Sequence, residues 1–300
     1  MPLSLQAAFW GLVVGSASVL GASLGYFLKI PQRLVAGVMA FGSGVLISAL
    51  SFELVEEAYE QGGFMATAIG FFCGAVIFSG ANWLLAKNGA KHRKRSGGLQ
   101  PSEQEDAGSG LALAVGALVD GIPESIVLGI GFISGGAVSV VTVIAVGLSN
   151  LPEGLSSASG MKEAGRKLPY VFLVWGGIAV ASGISAWLGY TIFSNFPPTV
   201  LAATTAVAAG AILAMLADTM IPEAFEKVHN FSGLVMVIGF LTAYMLSKME
   251  QENDPKADVP ARPATSVLIP PPVTVPVTTL KAEGLEGALV RTHQHEQAKH

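Results

Sequence analysis

Eight times in its 300 residues this chain runs on for the ~20 mainly apolar residues that carry an α-helix across the hydrocarbon core of a bilayer. The runs are 8–28, 34–55, 64–86, 111–133, 138–160, 168–191, 200–221 and 231–247. Hydrophobic residues make up 51% of the chain and charged residues only 13%, against about 25% charged in an ordinary soluble domain. The expected fold is therefore all-α, a polytopic membrane protein with eight transmembrane helices. A formal net charge of -4 offers no basic face for nucleic acid, so the lipid bilayer is the first partner the sequence implies.

The segments between the runs give the domains and the orientation. Residues 88–108 are polar and charged and read as a loop after the third helix. Residues 251–300 include Ile269-Pro270-Pro271-Pro272 and cannot bury enough apolar surface to fold alone, so they read as a disordered tail behind a membrane domain of residues 1–250. Lys and Arg are retained on the cytoplasmic side, and Lys29, Arg33, the basic residues from Lys87 to Arg95, Lys162, Arg166, Lys167 and Lys227 all fall on one side of the layer. The opposite connections, 56–63, 134–137 and 192–199, carry no Lys or Arg. That arrangement predicts a protein of the cell's inner membrane, with loop 88–108 cytoplasmic and both termini, the tail included, extracytoplasmic. No Lys or Arg precedes the first run, which therefore reads as a retained helix rather than a signal peptide. Cys73, the only cysteine, lies in an apolar run, supports no disulfide framework, and reads as a packing residue.

Two of the apolar runs are interrupted by the same kind of motif. The fourth carries Asp120-Gly121-Ile122-Pro123-Glu124-Ser125 and the fifth Ser149-Asn150-Leu151-Pro152-Glu153-Gly154. A carboxylate in hydrocarbon costs several kcal/mol, and it is retained where it faces a bundle interior and has something to bind. Asp120 and Glu124 are four apart and share one helix face; Asn150 and Glu153 are three apart and do the same, with Ser149 beside them. Each proline removes one backbone donor and opens the turn before it. A lone membrane proline, or a lone Asn or Ser, is usually structural. Paired Pro-Glu dipeptides at matched depth point instead to a cation site built from Asp120, Glu124, Asn150 and Glu153. None of the five histidines lies in these runs, so the ligands are oxygens, which lean toward Mn²⁺, Fe²⁺ or Mg²⁺ over zinc without excluding it.

A weak internal repeat surrounds this pair. Gly44-Val45-Leu46 through Glu57-Ala58 matches Gly210-Ala211-Ile212 through Glu223-Ala224 without a gap. The copies run in opposite directions, as in transporters with inverted repeats around a midplane site, which gives a 3+2+3 arrangement of helices. Acidic residues gather at one end of each copy: Glu53, Glu56, Glu57 and Glu60 on the second helix, Asp218, Glu223 and Glu226 on the seventh. A solvated helix end accounts for most of them; as rings of one sign they would also concentrate cations. Glu53 and Asp218 are expected to lie deepest, with Glu57 and Glu223 as further pathway residues. His293-Gln294-His295 in the tail reads as incidental. Gly11, Gly15, Gly21 and Gly25 mark close helix packing.

These residues resemble the ZIP family of divalent metal transporters, whose fourth and fifth helices carry His-Asn-x-Pro-Glu-Gly or a variant of it. Pro222-Glu223-Ala224 at the end of the seventh helix adds to the likeness, which covers residues 8–247. The resemblance implies a transporter, not an enzyme, that moves ions of the Zn²⁺, Mn²⁺ and Fe²⁺ class toward the cytoplasm without nucleotide or cofactor, at a site that can be binuclear. By position Glu124 and Glu153 would bridge two metals and Asn150 would ligate the second. Relatives are commonly dimeric, which makes a homodimer an open expectation. Asp120 stands where the family usually has His, Gly121 where it has a ligand Asn, and Ser149 where it often has His. The rival readings are a metal sensor that keeps the fold without transport, and an intramembrane hydrolase that uses the carboxylates as acid and base.

Overall fold

The computed structural model describes residues 1–87, 109–135, 140–228 and 231–253. The loop 88–108, all five histidines and residues 254–300 of the tail lie outside the described residues. Among the described residues there is no strand. The helices are α1 (Leu3–Phe27), α2 (Gln32–Ala49), α3 (Val55–Lys87), α4 (Ser109–Gly135), α5 (Val140–Glu163), α6 (Leu168–Phe193), α7 (Pro198–Met215), α8 (Ile221–Val228) and α9 (Ser232–Asn253). α4, α6 and α9 extend past their apolar runs, whereas α2 and α7 pass into π turns before theirs end.

Six of the described segments are long and apolar enough to cross a membrane. The expected runs 34–55 and 64–86 fall within one of them, Gln32–Lys87. The connection expected at 56–63 is mostly helix, because Glu56-Glu57-Ala58-Tyr59-Glu60-Gln61 are nearly all good helix formers. The break is confined to Gly63, whose φ of 73° and ψ of 176° suit a residue without a side chain. α5 is not among the six, since Ser149, Asn150, Glu153, Ser156 and Ser157 dilute its apolar character.

Two π-helical turns interrupt the bundle. One, Leu50–Leu54, joins α2 to α3; the other, Leu216–Met220, joins α7 to α8. When Gly44 is set opposite Gly210 the two turns coincide residue for residue. The packing follows the same pattern. α2 lies on α9 and α3 on α7, with Gly44 against the carbonyl of Met236 and Gly210 against that of Phe71, where a Cβ would collide with backbone. α1 lies on α5 and α6, and α4 on α6. Gly11 and Gly15 meet Ala186, Ser182 and Ala179 of α6, while Gly21 and Gly25 meet Leu151 and Leu155 of α5, so these glycines do mark close packing. Residue numbers rise together along α1 and α5, α3 and α7, and α4 and α6, which makes each pair parallel. Cys73 is exposed on the outer face of α3 and packs against no core.

The main core draws Met39, Leu46 and Leu50 from α2 and its π turn, Leu128 and Phe132 from α4, and Ile212, Met215 and Leu216 from α7 and its π turn. α4 and α5 touch each other only lightly. What lies between them is therefore framed by α2 and α7, and it is there that the polar residues collect.

Candidate metal site

Four carboxylates are withdrawn from the surface of this bundle. Asp120 is 1% exposed, Glu124 3%, Glu153 6% and Glu223 2%. Burial of this degree carries a cost that hydrogen-bond partners, a proton or a bound cation must offset. Asp120 and Glu124 are carried by α4, Glu153 by α5, and Glu223 by α8.

Pro123 and Pro152 sit inside continuous helices. At the first, the Val119 carbonyl loses its usual donor because residue 123 is proline, and two residues on the Ser125 hydroxyl donates back to the Gly121 carbonyl of its own helix at 2.8 Å. A Cβ on Gly121 would meet nothing nearer than Ile178 and Ser182 at 4.0 Å. Gly121 therefore leaves room where a ligand side chain could stand and supplies none itself. Beside the second, the Leu148 carbonyl loses its usual donor because residue 152 is proline. Gly42 of α2 approaches that carbonyl and the Pro152 ring, its Cβ position 3.3 and 3.5 Å from them.

The neutral groups are tied to their surroundings. The Asn150 amide nitrogen donates to the Val14 carbonyl of α1 at 3.1 Å, which fixes the side chain and leaves its oxygen without a hydrogen bond among the described residues. Ser149, fully buried, donates to Val146 of its own helix at 2.8 Å. Above Glu124 lies a cavity of about 10 Å³, room for roughly one water, bordered by Leu46, Ala49, Val127, Thr142, Val146 and Ile212. Glu124 and Thr142 also border it, and the Thr142 hydroxyl in turn donates to Glu53 of the first π turn. On the other side, Ser156 donates to Glu223 at 3.4 Å. Ser156 lies three residues beyond Glu153, on its face of α5.

The acidic residues at the helix ends separate differently from the expectation. Glu53 and Glu57 are half-buried, and Gln61 donates to Glu57 at 2.8 Å. Asp218, expected to lie deep, is exposed and accepts from Asn82 of α3 at 3.1 Å, whereas Glu223, expected at a solvated end, is buried. The π turn accounts for the exchange, since its extra residue per turn rotates α8 relative to α7. Among the described residues no group of three or more His, Cys, Asp or Glu converges closely enough to hold an ion. The structure thus buries the four sequence-derived ligands Asp120, Glu124, Asn150 and Glu153 without closing them into one coordination sphere. Sequence reasoning missed Thr142 and Ser156; a hydroxyl inside an apolar helix is usually a packing group, and only the three-residue step from Glu153 marked Ser156.

Fold and site together define an integral, polytopic, all-α membrane protein with an acidic, oxygen-lined interior. The chain is 27% identical over 231 residues to the zinc transporter ZupT of Escherichia coli O7:K1 (strain IAI39 / ExPEC), a similarity that covers 72% of this chain and 85% of that protein. No family model matches the chain. The resemblance to the ZIP family read from the motifs is borne out by this relative, a ZIP-family zinc transporter. The similarity supports a membrane transporter of divalent metal rather than an enzyme.

Proposed function

We propose that this protein carries divalent metal ions of the Zn²⁺, Mn²⁺ and Fe²⁺ class toward the cytoplasm through a site formed by Asp120, Glu124, Asn150 and Glu153 between α4 and α5. The observation that carries the reading is the near-complete burial of Glu124 and Glu153, each directly after a helix-internal proline. A carboxylate held away from water is costly, and a divalent cation supplies the counter-charge that offsets that cost. Glu53 with Thr142 would receive the ion on one side of the cavity, and Ser156 with Glu223 would release it on the other. Glu57 lies further out on the same entry side, while Ser149 and Gly121 shape the site without giving it a charged ligand.

The chain is read as crossing the membrane eight times in a 3+2+3 inverted repeat, with both termini outside. The parallel α1–α5, α3–α7 and α4–α6 pairs support this reading, since each joins helices that an alternating path sends the same way. The matched π turns and the matched glycine contacts of Gly44 and Gly210 support the repeat.

Uptake of labelled Zn²⁺ and Mn²⁺ into proteoliposomes tests the function. The wild type should accumulate ion, and Glu124→Ala and Glu153→Ala should each abolish uptake while inserting normally. A protein that binds metal without flux would be a sensor instead, and near-normal flux in Glu153→Ala would remove the proposed site.

A further inference from the structure

Wherever protein does not cover a membrane protein, lipid does, so a deep groove in its wall is filled by lipid unless another molecule sits there. A groove of about 940 Å³ opens between the π turn Leu50–Leu54 with the first turns of α3, the arm of α3 beyond Gly63, and the last turns of α9. Its two ends differ in chemistry. Glu56, Tyr59 and Lys248 line the end near the Gly63 break and the end of α9; Phe71, Phe72 and Ala75 line the other. From Phe64 to Ala75 the α3 wall extends roughly 16 Å at the rise of an α-helix. Phe52 forms a firm opposite wall, its ring 5.9 Å from Phe240 and 5.0 Å from Tyr244. Lys248, one of the lining residues, holds its ammonium 5.8 Å from the Tyr244 ring. Glu56 is exposed and makes no hydrogen bond or ion pair among the described residues.

A charged rim near the helix ends and an apolar floor toward the middle of α3 reproduce the polarity of a phospholipid. The rim carries one cation and one anion, and the groove is also lined by Tyr59 and Tyr244, residues of a type that favours the membrane interface. Lys248 suits a phosphate, and Glu56 suits a primary ammonium, which donates charge-assisted hydrogen bonds. A quaternary ammonium has no N–H to give Glu56, and a head with net negative charge meets it as a like charge. We propose that this groove is a specific site for one phospholipid with a zwitterionic, primary-ammonium head, its phosphate at Lys248, its ammonium at Glu56 and one chain laid along α3. This inference does not depend on metal transport.

Native mass spectrometry of the full-length protein tests it, after reconstitution with equal amounts of phosphatidylethanolamine, phosphatidylcholine and phosphatidylglycerol of identical chains. Phosphatidylethanolamine should be retained with about a tenfold preference, the ratio set by ~1.4 kcal/mol. Glu56→Gln should erase that preference, Lys248→Ala should weaken retention of all three lipids, and Ala75→Trp, which fills the floor, should remove them. Melting temperature checks that each variant is folded. Equal retention of the three lipids by the wild type, or an unchanged preference in Glu56→Gln, overturns the proposal. So does efficient cross-linking of two copies through Phe72→Cys in a Cys73→Ala background, which would make the groove an interface between chains.

Discussion

Asp120 is the residue that separates this site most clearly from the family pattern, because a hard anionic oxygen stands where an imidazole is usual. Within the Irving–Williams order, ligand type is one of the few means by which a site leans toward Mn²⁺. Asp120→His should therefore raise the Zn²⁺ to Mn²⁺ uptake ratio, measured by competition in proteoliposomes, and an unchanged ratio would remove Asp120 from selectivity. Asp120 and Glu124 share a buried face four residues apart, and metal can take that face only when its carboxylates are deprotonated. Uptake should rise with pH, with proton release on binding, and Asp120→His should flatten that dependence. The contrast between Glu223 and Asp218 gives a second test. Glu223→Gln should slow uptake roughly tenfold, the effect of ~1.4 kcal/mol on the ion's path, whereas Asp218→Asn at an exposed position should leave flux near that of the wild type.

At the scale of elements, glycine sets how closely the helices pair. A side chain at Gly44 would strike the Met236 carbonyl, and one at Gly210 the Phe71 carbonyl; backbone cannot turn aside as a side chain can. Gly44→Val and Gly210→Val should each destabilise the fold by about 1–3 kcal/mol or more, read as a lowered melting temperature in detergent. The equivalent positions of the two sites predict losses of similar size. Loss confined to one variant would argue that the pairings α2–α9 and α3–α7 are not equivalent. The helices themselves were legible from apolar run length, yet the π turns were not, since Leu50-Ser51-Phe52-Glu53-Leu54 and Leu216-Ala217-Asp218-Thr219-Met220 contain nothing that an α-helix would refuse.

For the molecule as a whole, the bundle is the unit Met1–Asp254, and every residue proposed for the ion path lies within it. Truncation after Gln251 should preserve uptake, because the tail's composition supports no core of its own and Glu250, which accepts from the Val140 backbone N–H at 3.0 Å, is kept. A truncated protein that inserts normally and loses flux would make the tail a working part.

The sequence alone determined the membrane class and the helical fold, and it singled out Asp120, Glu124, Asn150 and Glu153, which the structure buries, since hydropathy and a carboxylate within an apolar run are local properties with a large energetic cost. Depth, facing and closure were decided only by tertiary structure. Whether an acidic residue near a helix end is dry or wet depends on how the neighbouring turn is wound, so Glu223 proved buried and Asp218 exposed. Thr142 and Ser156 gained their place because folding carries α5 past Glu53 and Glu223, residues remote in the chain. A hydroxyl costs little inside a helix on its own, and only its partner across the bundle gives it a role.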